Sequence, residues 1–145
     1  MVRTAVEASL AALGGVKSIF EDANRVLVKL NLLSAKPPQA ALRRILKKVR
    51  AVVELVQDAG ATPLVGDSPG GGSTTAWYKA LLEKTGIQQV IDGAGCQLVR
   101  FDEARIQIAA ETVKTLKKLA FVKAVTEADV IIGLPSSSTL LRKQK

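Results

Sequence analysis

The segment VRAVVELVQDAGATPLVGDSPGGGS, residues 49–73, combines the end of a helix, a short strand and a glycine-rich loop. Apolar residues recur at the i, i+3, i+4, i+7 spacing over residues 40–58, which predicts an amphipathic helix that ends at Gly60. The apolar run at 62–66 predicts a strand, residues 67–72 a loop, and residues 74–85 a second helix. Strands that alternate with helices in this way are typical of a parallel sheet.

The flanking sequence continues the same alternation. It predicts a helix at 3–13 that Gly14 and Gly15 stop, strands at 26–33, 96–101 and 129–134, and extended segments at 105–109 and 115–120. The fold class is therefore α/β, a mostly parallel sheet with helices on both faces, and residues 1–145 have the length of a single domain. No apolar run reaches the ~18 residues of a membrane span, and no signal peptide is evident, so we expect a cytoplasmic protein without a membrane partner.

The composition excludes several kinds of chemistry. The chain has no histidine and one cysteine, so it has no Ser-His-Asp or Cys-His nucleophile and no histidine-bound zinc. It also holds no four-cysteine iron–sulfur cluster and no internal disulfide; we assign no metal site and no identified cofactor. Cys96 begins an apolar run and is expected to be a buried, inert thiol.

The net charge of +8 comes from two segments. Residues 42–50 carry five cations and residues 142–145 carry three, without an acid at 43–50. Nucleic-acid binding would use such charge, but neither segment contains an aromatic residue, so we do not expect a nucleic-acid partner. We expect the apolar residues of 42–49 to pack on the sheet and the cations between them to face solvent.

The loop after the 62–66 strand is the strongest candidate for a site. A glycine-rich turn between a strand and a helix exposes backbone N–H groups that bind phosphates or carboxylates. Asp67 stands at the strand end, where a metal ion or a hydroxyl could be held. The alternative is a flexible turn in which Ser73 or Thr74 only caps the helix.

Lys29 and Asn31 form a second candidate. Strand alternation places both on one face, and two polar residues near the end of a buried parallel strand need partners. They would face the crevice beside the loop; alternatively, Lys29 extends to solvent and Asn31 bonds a neighbouring turn. The full set of candidate ligand-binding residues is Lys29, Asn31, Gly66, Asp67, Ser68, Gly70, Gly71, Gly72 and Ser73.

Several segments resemble the N-terminal half of an uncharacterised family, domain of unknown function 362. They are RTAVEASLAALGG, VLVKLNLLSAKPP, VRAVVELVQDAGATPLVGDSPGGGS, LLEKTGI and EADVIIGLP. The resemblance implies an α/β fold and a shared polar cluster of Lys29, Asn31, Gly66, Asp67, Ser68 and Pro69. Some family members carry ferredoxin-type four-iron–four-sulfur motifs, and no activity is established for the family.

The chain departs from the family pattern at three places. Leu30 replaces a proline, ALRRILKK replaces a Thr-Thr-His-Pro-Glu segment, and SSSTLLRKQK ends the chain where the family continues. Codons can be chosen for Leu42–Lys48 that, read one base earlier, encode Thr-Thr-Thr-His-Pro-Glu-Lys, and residues 136–141 behave similarly. A truncated, frame-slipped gene would explain both the missing histidines and the excess charge; ordinary divergence with a natural short end is the alternative.

These observations predict a domain that binds a small anionic ligand at the glycine-rich loop and is inactive alone. One alternative is a redox-associated enzyme domain related to the iron–sulfur family members, and another is a basic nucleic-acid-binding protein. The terminal apolar strand at 130–134 would be an open sheet edge, so we also expect self-association into a homo-oligomer.

Overall fold

A computed structural model describes residues 1–21, 23, 25–31, 39–67, 74–101, 105–109 and 118–134 of the chain. The helices are α1 (Val2–Ala11), α2 (Gly15–Phe20), α3 (Gln39–Asp58), α4 (Thr75–Thr85), α5 (Ile87–Ala94) and α6 (Lys123–Thr126). The strands are β1 (Arg25–Lys29), β2 (Thr62–Asp67), β3 (Gln97–Arg100), β4 (Arg105–Ala109), β5 (Lys118–Val122) and β6 (Val130–Gly133).

The main sheet has four strands in the order β3-β2-β1-β6, and all of its pairings are parallel. Strands β4 and β5 form a separate antiparallel pair. The predicted α/β class with a mostly parallel sheet is therefore confirmed. Among the helices of the described ranges, none is long and apolar enough to cross a membrane.

Hydrophobic residues cover both faces of the sheet. On one face, Val26, Val28 and Val65 belong to the larger core, together with buried residues of α3, α4 and α5. On the other face, Leu27 and Leu64 pack with Phe101 and with Ala124 of α6. Successive strand residues point to opposite faces, so β1 is apolar on both sides, as a central parallel strand must be.

Helix α3 confirms the predicted amphipathic pattern. Val49 is buried and Leu42, Ile45 and Leu46 are half-buried, while the cations between them are mostly exposed. Lys48 is half-buried, because a long lysine stem can lie along apolar surface while its ammonium stays in water. The basic segment is therefore compatible with a helix that packs on the sheet.

The short elements differ most from the predictions. A second helix, α2, begins at Gly15, whereas the sequence predicted only that the first helix would stop at Gly14 and Gly15. Helices α5 and α6 were not predicted either. Strand β1 ends at Lys29, whereas the apolar pattern extended the strand to residue 33; residues 32 and 33 of that prediction lie outside the described residues. Gly86, at φ +74°, both ends α4 and begins α5, whose Ile87 and Ile91 are buried. Two turns of helix are too short to produce a sustained periodic pattern.

Candidate functional site at the carboxyl edge of the sheet

The carboxyl ends of the parallel strands meet along one edge. Lys29 ends β1 and pairs in register with Gly66 of β2 on one side and with Gly133 of β6 on the other. Asp67 ends β2 and pairs with Arg100, the last residue of β3. Ligands of open α/β sheets bind beyond this edge. The register therefore brings two predicted site residues, Lys29 and Asp67, to one place together with Arg100.

Lys29 and Asp67 form an ion pair. The lysine Nζ lies 3.6 Å from Asp67 Oδ1 and also donates a hydrogen bond to the Leu30 carbonyl oxygen at 3.1 Å. The Asp67 side chain is only 4% exposed, whereas that of Lys29 is 46% exposed. A buried carboxylate is costly unless it is paired, so Lys29 compensates Asp67 and is held at the edge by it. The lysine thus turns toward Asp67 instead of extending freely to solvent.

Arg100 is a residue of this edge that the sequence did not indicate. Its Nη1 donates to Thr75 Oγ1 at 2.8 Å, and its guanidinium carbon lies 5.2 Å from the centre of the Tyr78 ring. Both contacts are with the first turn of α4, and a cation over an aromatic face is attractive. Arg100 followed an apolar run in the sequence, and only the β2–β3 register places it beside Asp67.

Helix α4 begins at the same edge. Thr74 is its N-cap, and its Oγ1 accepts a hydrogen bond from the backbone N–H of Trp77 at 3.3 Å. Capping by Thr74, one of the two residues considered from the sequence, is therefore confirmed. Such an N-terminus carries partial positive charge.

Gly66 has a packing reason to be glycine. A Cβ atom at this position would lie 2.6 Å from Phe101 Cε1 and 2.7 Å from the Val99 carbonyl oxygen. The family resemblance implied that Gly66 belongs to a polar cluster. The structure adds that β3 and the Phe101 ring lie too close to Gly66 to leave room for a side chain. Asn31 follows β1 and is half-buried. The remaining predicted residues, Ser68, Gly70, Gly71, Gly72 and Ser73, lie outside the described residues, as does Pro69.

Cys96 lies away from this edge, just before β3 begins. It is half-buried instead of fully buried, because it lies at the start of a strand on the rim of the core. Partial burial raises the pKa of its thiol, and Sγ is 3.6 Å from the Ile91 carbonyl oxygen. In the described part of the chain, no group of three or more Cys, Asp or Glu residues could hold a metal ion.

The fold and the polar strand ends define an α/β protein with a parallel sheet and charged residues along its carboxyl edge. Residues 26–139 match the family described as domain of unknown function (DUF362), and the chain belongs to this family. The chain is also 32% identical, over 126 residues, to a thylakoid-associated protein of Synechocystis sp.. This match covers 87% of the chain but 37% of the relative, so the chain spans little more than a third of that protein's length. No solved structure is a significant match.

The comparison confirms the resemblance drawn from the KLN and GDSPGGG segments. Lys29, Asn31 and Gly66–Ser73 all lie inside the matched range of 26–139.

Proposed function

We propose that this chain binds a small anionic ligand, bearing a phosphate or a carboxylate, between the carboxyl ends of β1 and β2. The observation that carries the proposal is the placement of Lys29, whose ammonium is fixed next to buried Asp67 while the side chain stays 46% exposed. An ammonium has three N–H donors. Within the described residues its polar neighbours are the Asp67 carboxylate and the Leu30 carbonyl oxygen, which leaves a donor for a ligand oxygen.

The electrostatic balance at the edge supports an anion. Lys29 and Arg100 are cationic and Asp67 is the carboxylate between them, so these three residues sum to one positive charge. The hydrogen bond from Arg100 to Thr75 shows that the N-terminus of α4 lies at this edge. That N-terminus adds partial positive charge, because the peptide dipoles of the helix are aligned. The glycine-rich sequence between β2 and α4 would supply backbone N–H donors.

The proposal concerns binding. Because the chain spans 37% of the relative's length, we propose that it has no turnover by itself and that a reaction would require the longer protein.

Amide NMR during titration with inorganic phosphate and with acetate, at constant ionic strength, tests the proposal. We expect shifts at residues 29–31, 66–73 and 74–77, and a loss of affinity of about tenfold or more in Lys29→Gln, because one charge-assisted hydrogen bond is removed. Lys84→Gln is the matched control, since it removes the same charge at the other end of α4. Shifts confined to other segments, or an equal loss in both variants, would refute the proposal.

A further inference from the structure

A second concave surface lies on the face of the sheet that α3 covers, next to the carboxyl end of β6. It is a cavity of about 670 Å³ between α1, α3 and the end of β6. Its apolar lining includes Ala5, Val6, Leu10, Val52, Ile132 and Leu134. We call this cavity the α1–α3 groove. Its volume lies within the roughly 300–1,000 Å³ of small-molecule sites.

Three cations of α3 also line this groove. Arg44, Lys47 and Lys48 follow one another at i, i+3 and i+4, a spacing that places them on the same side of the helix. Among the residues that the structure describes, no acidic residue lines the groove, and no ion pair involves these three cations. The groove is therefore apolar along its length and positively charged along α3.

The lining restricts what can fill the groove. In the described part of the lining, Ser9 has the one side-chain hydroxyl, and this hydroxyl already donates to the Ala5 carbonyl oxygen at 2.8 Å. A peptide would bring backbone N–H donors against charged side chains, those of Arg44, Lys47 and Lys48, that can only donate, which is unfavourable. The same groove of a second copy would bring two sets of three cations together. A single unbranched hydrocarbon chain with one anionic end avoids both penalties.

We propose that the α1–α3 groove binds a long-chain carboxylate of the fatty-acid type, with the hydrocarbon between α1 and β6 and the carboxylate against Arg44, Lys47 and Lys48. The inference is independent of the proposed function. Lys29 does not line this groove, and it lies on the opposite face of β1 from Val28, which belongs to the core that α3 covers.

Calorimetric titration with dodecanoate, tetradecanoate and hexadecanoate, each below its critical micelle concentration, measures this binding. We expect affinity to rise about fourfold for each added methylene that is fully buried. Dodecylamine, which has the same tail and the opposite charge, should bind at least tenfold more weakly than dodecanoate. Equal binding of the amine, or no binding of any of the carboxylates, would overturn the proposal.

Two matched pairs of variants locate the site. Arg44→Gln should weaken dodecanoate binding by about three- to fivefold, as for an exposed ion pair, whereas Arg43→Gln, on the neighbouring residue outside the groove, should not. Ala5→Trp should fill the groove and reduce affinity more than tenfold, whereas Ala11→Trp, on the same helix but outside the groove, should bind normally. Both tryptophan variants are first checked for native circular dichroism.

Equal binding by both members of either pair would overturn the proposal. So would sedimentation data showing a dimer that Ala5→Trp dissociates and that dodecanoate leaves intact, because the groove's occupant would then be a second copy.

Discussion

The two glycines that flank Lys29 in the sheet should respond in opposite directions to the same substitution. Gly66 and Gly133 are both register partners of Lys29, one in β2 and the other in β6. A Cβ on Gly66 would come within 2.6 Å of Phe101 Cε1 and 2.7 Å of the Val99 carbonyl oxygen, while a Cβ on Gly133 has no neighbour within 4 Å among the atoms described. Alanine is therefore strongly overpacked at one position and unhindered at the other.

The magnitudes follow from these contacts. Overpacking a well-packed core costs about 1–3 kcal/mol, and we expect Gly66→Ala in the upper half of that range. The Phe101 ring is buried, and the Val99 carbonyl belongs to the backbone of β3, so neither contact can relax freely. Gly133→Ala should instead stabilise the protein by about 0.5–1 kcal/mol, because alanine loses less backbone entropy on folding than glycine does.

Urea denaturation followed by circular dichroism measures both effects. With a slope of about 2 kcal/mol per molar urea, the Gly66→Ala midpoint should fall by about 1 M and the Gly133→Ala midpoint should rise slightly. Adding Phe101→Leu to Gly66→Ala removes the ring contact but leaves the carbonyl contact. The double variant should therefore lose less stability than the sum of the single variants.

Two results would contradict this reasoning. A Gly66→Ala protein within about 0.5 kcal/mol of the native protein would show that β2 does not approach β3 and Phe101 so closely. If Gly133→Ala destabilised the protein as much as Gly66→Ala, any alanine at this edge would lower the free energy of unfolding. The contacts of Gly66 would then not be the cause.

Three further outcomes are expected. Gly86→Ala should lower the free energy of unfolding by about 1 kcal/mol in thermal unfolding, because φ is +74° at this position. Gly93→Ala, in an unhindered position of α5, should raise it by a similar amount, and equal changes in both variants would contradict the left-handed turn. Iodoacetamide should react with Cys96 more slowly than it reacts with glutathione at pH 8, because burial raises the pKa of the Cys96 thiol and only the thiolate reacts. The two rates should approach each other at higher pH, and equal rates at pH 8 would refute this expectation. Strand β6 pairs only with β1 in the described sheet, and Ile131 is 50% exposed, so we expect sedimentation to show self-association that Ile131→Lys weakens; a strictly monomeric native chain would refute it.

Long periodic elements were predictable from the sequence. Helix α3 repeats its apolar stripe over Gln39–Asp58, and the glycine that follows it ends the helix as predicted. The same holds for β2 and α4, which Gly86 ends in a left-handed conformation. Helices α2, α5 and α6 were not predicted, because they are too short for periodicity to distinguish them from a turn.

Part of the candidate site was also predictable. Lys29 and Asp67 were identified as polar residues that interrupt or end apolar strands, and the structure places them 3.6 Å apart. Gly66 was assigned to the same cluster by family resemblance, whereas the structure shows that its small size is required by Phe101 and Val99. Arg100 was missed because nothing near it in the sequence distinguishes it from an ordinary surface cation.

Local sequence determined the longer elements such as α3, β2 and α4, because side-chain periodicity and glycine conformations act between residues a few positions apart. It also limited the chemistry, since a chain without histidine lacks the residue most often used for proton transfer near neutral pH. The strand order β3-β2-β1-β6, the register that pairs Asp67 with Arg100, and the groove between α1, α3 and β6 depended on tertiary structure. Each of these arises from packing between segments that are distant in the chain, and the free energy of such contacts exists only once the sheet has formed.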